Sequence, residues 1–401
     1  MNGLKTASGF IVLLGLLLTL ACSNPKEPER NIEQSERVIV MSRARKIHQL
    51  VGDFDNERQE FTLNRTATRY GLIATDLGVP FTHGGRTFVL FGDSFGGDDP
   101  NDDAIAYTTD TNPEDGIGLD FIQKPNGTYK AVVIPGVRRG GYEVPVEGVS
   151  LGGRMYIYFA TDWSTALQIL TRTVLARSDD DGFTFTYIAD FSSHHFINVS
   201  IETIDLPDWQ GFPEAEGEGL VIFGSGAYRK SHVYLAFQRA DDIENPSQVR
   251  YFIGCNNSGT PRWSSNEGDA MPLFDQSGVG ELSVTYNQTF GKWIMLYNND
   301  NPRGINLRTA DRPWGPWSDV QVVFNPWNDE GYGHFMHVSW ETARVDSVHD
   351  RGRENEWGGE YGPYQYGHLA RATSDSITIY FNLSTWNPYT VVLMKATLGK
   401  E

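Results

Sequence analysis

The sequence predicts an all-β chain folded as a single five-bladed β-propeller. A short apolar run of β-type residues recurs five times, beginning at Arg86 (RTFVLFGD), Arg154 (RMYIYFAT), Leu220 (LVIFGS), Lys292 (KWIMLYN) and Ile377 (ITIYFNL). Four of the runs are followed by a second strand ending in a basic residue, around Arg177 (VLARSDDD), Arg239 (YLAFQRADD), Arg308 (INLRTAD) and Lys395 (VVLMKAT). The runs start 68, 66, 72 and 85 residues apart. A repeat of that length, built from short strands, marks blades set around a central channel. Sustained helical periodicity is not evident beyond the first fifty residues.

Taken in order, residues 1–22 read as a lipoprotein signal peptide. Lys5 supplies the positive start and FIVLLGLLLTL (Phe10 to Leu20) the apolar stretch, with Ala21-Cys22 at the cleavage position. The run is short for a membrane span, so Cys22 is expected to be acylated, with a lipid anchor as the only attachment to a membrane. Residues 23–60 read as a polar tether that includes RVIVM. Its residues Val38 to Met41 are a candidate strand for closing the ring against the final strand TVVLMKATL. Residues 61–401 form the propeller. Cys255, the second of two cysteines, reads as a small, partly buried residue rather than a nucleophile.

Composition narrows the partners. The 401 residues are 12 % aromatic and 21 % charged, a globular balance, with a formal net charge of −18. Without residues 1–21, which hold one basic residue, the charge becomes −19. Such a surface disfavours nucleic acid and anionic lipid and suits a neutral polysaccharide. A monomeric, exported protein of the cell envelope is expected.

Inside blades, His83-Gly84-Gly85, Leu151-Gly152-Gly153 and Phe290-Gly291 supply the positive φ of tight hairpins. The stretch from Ser178 to Phe185 (SDDDGFTF) matches the Asp-box pattern S-x-D-x-G-x-T-aromatic. It is a structural turn on the outer side of a blade, its aromatic ring plugging between blades. RTADRPWGPWS (Arg308 to Ser318) reads as a comparable outer hairpin of the fourth blade.

Carboxylates supply the candidate chemistry. When the first and fourth blades are aligned on their second strands, Arg86 corresponds to Gly291. Asp76 and Glu281 then each lie ten residues upstream, in TDLGVPF and GELSVTY. Two acids in one slot of the innermost strands, on non-adjacent blades, would face each other across the channel mouth. Paired carboxylates flanking a cavity are the equipment of glycoside hydrolysis. Asp93, in LFGDSFGG, could tune the pKa of Asp76 or take the base role itself. Glu147, in VPVEGVSLGG, is a further candidate at a shorter interval from its turn. Taken singly, each acid also fits a turn cap or a partner for Arg.

Aromatic and polar residues crowd His334 to Tyr366. Trp340, Trp357, Tyr361 and Tyr364 offer stacking faces for sugars, and His334 and His337 could bond hydroxyls; propeller core plus one long loop is the alternative. The spacing of the histidines is not diagnostic of a metal site, and neither metal nor cofactor is expected. No P-loop, G-x-S-x-G elbow or H-E-x-x-H motif is present.

Together, ATDLGVPF…LFGDSFG, GVGELSVTYN…KWIMLYN, LRTADRPWGPWS, YGPYQYG and STWNPYTVVLMK resemble the DUF4185 domain from about Tyr70 to Leu398. Some members of that domain family belong to glycoside hydrolase family 183, the endo-D-arabinanases. The resemblance implies a five-bladed propeller acting on α-linked D-arabinofuranose polymers such as those of mycobacterial cell walls. It also implies that Asp76 and Asp93 match the acids of the TDLG and FGD motifs, and that Glu281 matches that of GELS.

The resulting expectation is an exported endo-D-arabinanase cleaving arabinogalactan or lipoarabinomannan. Asp76 would act as base and Glu281 as acid, with Asp93 and Glu147 positioning substrate or tuning pKa. Opposed acids leave room for water and favour inversion, where carboxyl separations of about 6.5–9.5 Å are usual, against about 5–5.5 Å for retention. The alternatives are a glycan-binding surface lipoprotein without turnover and a hydrolase of a different glycan.

Overall fold

A computed structural model describes residues 36–97, 102–339 and 346–401. The segment read as a signal peptide, Cys22 and Trp340 lie outside the described residues.

Five antiparallel sheets form the blades. Their innermost strands are Leu72–His83, Val144–Leu151, Asn198–Asp205, Leu282–Asn287 and Gly359–Gln365, and these touch one another in ring order, the fifth returning to the first. Second strands follow as Arg86–Gly96, Arg154–Ser164, Glu218–Ser225, Lys292–Asp300 and Ser376–Trp386, and third strands as Asp102–Thr108, Ile169–Ser178, Val233–Arg239, Arg303–Ala310 and Thr390–Lys400. All five sequence repeats are therefore second strands. The third strand of blade 1, DDAIAYT, lacks the basic ending of the others.

The second strands carry near-continuous apolar runs because both of their faces are buried. In blade 1, Phe88 and Leu90 pack toward blade 2 while Val89 and Phe91 pack toward blade 5. In blade 2, Met155, Ile157 and Phe159 meet blade 1, and Tyr156 and Tyr158 meet blade 3. Five buried clusters result, one at each junction between neighbouring blades. The two-residue alternation of a strand thus divides one run between two cores.

The ring closes through the N-terminal strand Val38–Gln49, which pairs antiparallel with Thr390–Lys400, from Val38 opposite Lys400 to Gln49 opposite Val392. It is the outermost strand of blade 5 and runs well past Met41. Leu50 and Val51 continue into the core between blades 5 and 1. This strand lies within residues 23–60, which the sequence reads as a tether with a candidate closing strand. Among the described residues, no helix is long and apolar enough to cross a membrane.

The Asp-box forms the turn between Ile169–Ser178 and Thr186–Ser192. Asp180 accepts from the Thr184 N–H and hydroxyl, each at 2.7 Å, and from the Ser178 hydroxyl at 2.8 Å. Phe185 then inserts between blades 1 and 2. Trp314, of the RTADRPWGPWS hairpin, is buried between blades 3 and 4.

Candidate active site

Because strands alternate in direction, innermost strands begin, and second strands end, at the same mouth of the channel. That mouth opens into a cavity of about 420 Å³ lined by Asp76, Asp93 and Glu281 together with Tyr142, Trp163, Tyr228, Arg229, Glu360, Tyr361, Trp386 and Tyr389. Asp76 and Asp93 come from blade 1, and Glu281 from the start of blade 4, across the axis.

The local backbone explains how the two blade-1 acids are presented. The inner strand is irregular after Asp76, with Leu77 at φ 61° and Gly78 at φ 81°, and the Leu77 N–H donates to Ser384 Oγ of blade 5 at 2.7 Å. Such irregularities re-aim side chains beside functional sites. Asp93 itself has φ 36°, an unfavourable left-handed conformation for a residue with a Cβ. Its N–H donates to Asp103 Oδ1 at 3.2 Å, which holds that turn. Glycine precedes it for a reason: a Cβ on Gly92 would lie 2.7 Å from Val144 Cγ1 and 2.9 Å from Asp76 Oδ1.

Hydrogen bonding is incomplete where chemistry would occur. Asp76 Oδ2 accepts from the Tyr361 hydroxyl at 2.9 Å, and Tyr389 lines the cavity beside it. Glu281 and Tyr228 line the same cavity. Yet Asp76 Oδ1, Asp93 Oδ1 and Glu281 Oε2 are each buried without a hydrogen-bond partner. Buried polar atoms are paired in the large majority of cases, so three orphaned carboxyl oxygens lining one cavity are a functional signal.

Electrostatics separate two of the acids. Burial pushes Asp76 up to about 6; hydrogen bonding from tyrosine opposes the rise and the negative Glu281 adds to it. Asp93 goes further, to about 8, through burial and then the charges of Asp76 and Glu143. Asp103, fully buried beneath Asp93, is also raised well above the carboxylate range, first by burial and then by Asp93. Near neutral pH, one carboxyl is thus disposed to ionise while its neighbour keeps its proton, the separation that acid/base pairs require.

The other sequence candidates fall elsewhere. Glu147 faces a second cavity of about 450 Å³ at the opposite mouth, as does Tyr364. The Glu147 oxygens accept from the Gly148 and Ile201 N–H groups at 2.8 and 3.0 Å. His334 is half exposed and faces Glu57 at 3.6 Å, away from either mouth. His337 is buried between Asp346 at 2.6 Å and the Glu354 carbonyl at 2.9 Å, where it fixes a loop. Among the described residues, Tyr361 is the one proposed substrate-binding residue that lines the cavity with the acids. Unforeseen were Tyr228, Arg229, Tyr389, Trp386, Tyr142 and Trp163, and the rim pair in which Arg303 Nε and Nη2 each reach Glu360 at 3.3 Å. Among the described residues, no group of three or more His, Cys, Asp or Glu is disposed to hold a metal ion.

The notoamide biosynthesis cluster protein J' of Aspergillus versicolor is 25 % identical over 313 residues, spanning 70 % of this chain and 80 % of that protein. Protein J of the same cluster in Aspergillus sp. (strain MF297-2) is 25 % identical over 319 residues, spanning 70 % and 79 %. Among solved structures, a protein of Bacteroides ovatus ATCC 8483 provisionally assigned as a hydrolase superposes with a TM-score of 0.53 at 14 % identity, over 82 % of this chain and 87 % of that one. That likeness is one of fold. The model of the domain of unknown function DUF4185 matches residues 61–395, and the chain belongs to that family.

Proposed function

We propose that this protein is a glycoside hydrolase of the cell envelope that cleaves internal D-arabinofuranosyl linkages of cell-wall arabinan. The observation that carries the reading is the meeting of Asp76, Asp93 and Glu281 in one cavity, each with an unpartnered buried oxygen. The acidic surface and the aromatic rim suit a neutral glycan better than any anionic polymer.

In this scheme Asp93, rather than Glu281, is the general acid. Asp93, pushed up to about 8, holds a proton at pH 7 to give to the glycosidic oxygen as the C1–O bond breaks. Asp76, at about 6, is mostly ionised and is the second carboxylate of the pair, with water finally bonding to C1 and its proton returning to the two carboxyls. Because Asp76 and Asp93 stand side by side on blade 1, this assignment sets aside the opposed geometry on which inversion was expected. Glu281, with the Tyr228 hydroxyl, stands across the cavity to hold sugar hydroxyls. Glu147 has no part in this scheme.

The test is incubation of the chain from residue 23 onward with mycobacterial arabinogalactan, products being sized by chromatography. Oligosaccharide ladders from the parent protein, absent with Asp76→Asn and Asp93→Asn, are expected. Binding without product would turn the assignment to a non-catalytic glycan-binding protein. Activity confined to other polysaccharides in a panel would replace arabinan as substrate, a point given weight by the biosynthesis-cluster names of the fungal relatives.

A further inference from the structure

Large aromatic side chains stand exposed on both flanks of the blade-1 acids. On the blade-2 side, Tyr142 is 54 % exposed and lies against Trp163, with ring centroids 4.2 Å apart and planes 36° from parallel. On the blade-5 side, Trp386 is 41 % exposed although the Arg353 guanidinium covers it at 3.9 Å, and Tyr389 meets it edge-on with centroids 5.9 Å apart. Blades 2 and 5 are the two neighbours of blade 1 in the ring. All four aromatic residues line the cavity that holds Asp76 and Asp93.

We propose that these are two stacking platforms, one on each side of the Asp76–Asp93 pair, which bind sugar residues on both sides of the bond to be cut. This deepens the hydrolase reading and rests on it. Exposed aromatic faces at a cavity rim are unfavourable in water unless a ligand covers them. A wholly apolar ligand does not fit, because spanning from one platform to the other would strip water from three carboxyls without pairing them. A glycan satisfies both demands: its C–H faces lie on the rings and its hydroxyls meet the acids between them. Platforms on both flanks hold a chain that continues past the site in each direction, which produces internal cleavage. A single platform beside a closed end would instead trim chain ends.

The experiment uses the chain from residue 23 onward with mycobacterial arabinogalactan as probe. In an Asp76→Asn background, affinity electrophoresis should show binding weakened about tenfold by Tyr142→Ala and, separately, by Trp386→Ala. Tyr142→Phe and Trp386→Phe, which keep a ring, should stay within about threefold of that background. With Asp76 intact, each alanine variant should need a longer oligosaccharide for cleavage. Cleavage by the parent protein with affinity and product ladder unchanged in both alanine variants overturns the platforms. An effect from only one flank overturns the two-sided arrangement. Ring-dependent binding without any cleavage leaves the platforms standing and removes the hydrolase reading, whereas absence of both binding and cleavage removes both.

Discussion

Replacing Asp93 with Asn should make the protein more stable while abolishing turnover. The folded state raises this carboxyl from an ordinary 3.8 to about 8. Between those values the unfolded chain has released the proton and the folded chain has not, so stability falls as pH rises from about 4 to about 8. At 1.36 kcal/mol for each tenfold change in proton affinity, the loss accumulated by pH 7 is about 4 kcal/mol. Asp93 keeps some solvent contact at the cavity mouth, and screening reduces this to about 2 kcal/mol. Asn carries no such burden. Urea denaturation at pH 4, 5.5, 7 and 8.5 gives the comparison. At pH 4 both side chains are largely neutral in the folded protein, so the difference there isolates the change of shape and hydrogen bonding. The Asn variant should gain on the parent steadily from that baseline up to about pH 8. A stability difference that does not change with pH, or a variant that loses ground as pH rises, would refute the reasoning.

Tyr361→Phe deletes a donor to Asp76 and should move the acidic limb of the pH–rate profile upward. Activity would then fall several-fold at pH 6 and much less at pH 8, measured as kcat against pH. Gly92→Ala forces a Cβ between Val144 and Asp76 and should lower kcat at least tenfold, with a reduced Tm in calorimetry. Asp180→Ala removes three acceptor contacts of the Asp-box turn. It should destabilise by about 1–3 kcal/mol in denaturant titration with kcat unaltered, since that turn lies on the outer part of blade 2.

The blades were legible because burial on two faces leaves a continuous apolar run, a signal stronger than ordinary strand alternation. The closing strand was less so. Its sequence VIVMSRARKIHQ alternates charge with apolar residues, and only the first four residues look like a strand without knowledge of the partner. At the site, matching Asp76 with Glu281 by distance from the second strand placed both at one mouth. The same ruler, applied strictly, excludes Glu147. Glu147 lies seven residues before Arg154 rather than ten. Three residues of strand are about 10 Å, enough to carry its side chain toward the other mouth, and Val144 occupies the equivalent slot. Trp163 and Trp386 sit at the ends of the second strands of blades 2 and 5, as Asp93 nearly does in blade 1. That shared position was a usable signal. Tyr228 and Tyr142 come from connections whose direction no local pattern fixes.

Glu147 also separates two things that are easily confused, a perturbed carboxyl and a reactive one. Burial pushes it up to about 8, as far as Asp93. A raised pKa alone would therefore nominate both. Their hydrogen bonds differ. Backbone N–H groups bond both Glu147 oxygens, one of them from Ile201 on the innermost strand of blade 3, so the side chain ties two blades together. Asp93 leaves an oxygen unpaired beside a cavity. Glu147→Gln keeps the shape but sets an amide N–H against a backbone N–H, leaving at least one buried donor unsatisfied. At pH 4, where neither carboxyl is ionised in the folded protein, a loss of about 1–3 kcal/mol relative to the parent is expected in denaturant titration, with kcat per folded molecule intact at neutral pH. Asp93→Asn should show no such loss at pH 4 and should remove kcat. A Glu147→Gln protein that folds with parental stability and loses turnover would show that the opposite mouth takes part in the reaction, and that the orphaned oxygens are the wrong criterion for the site.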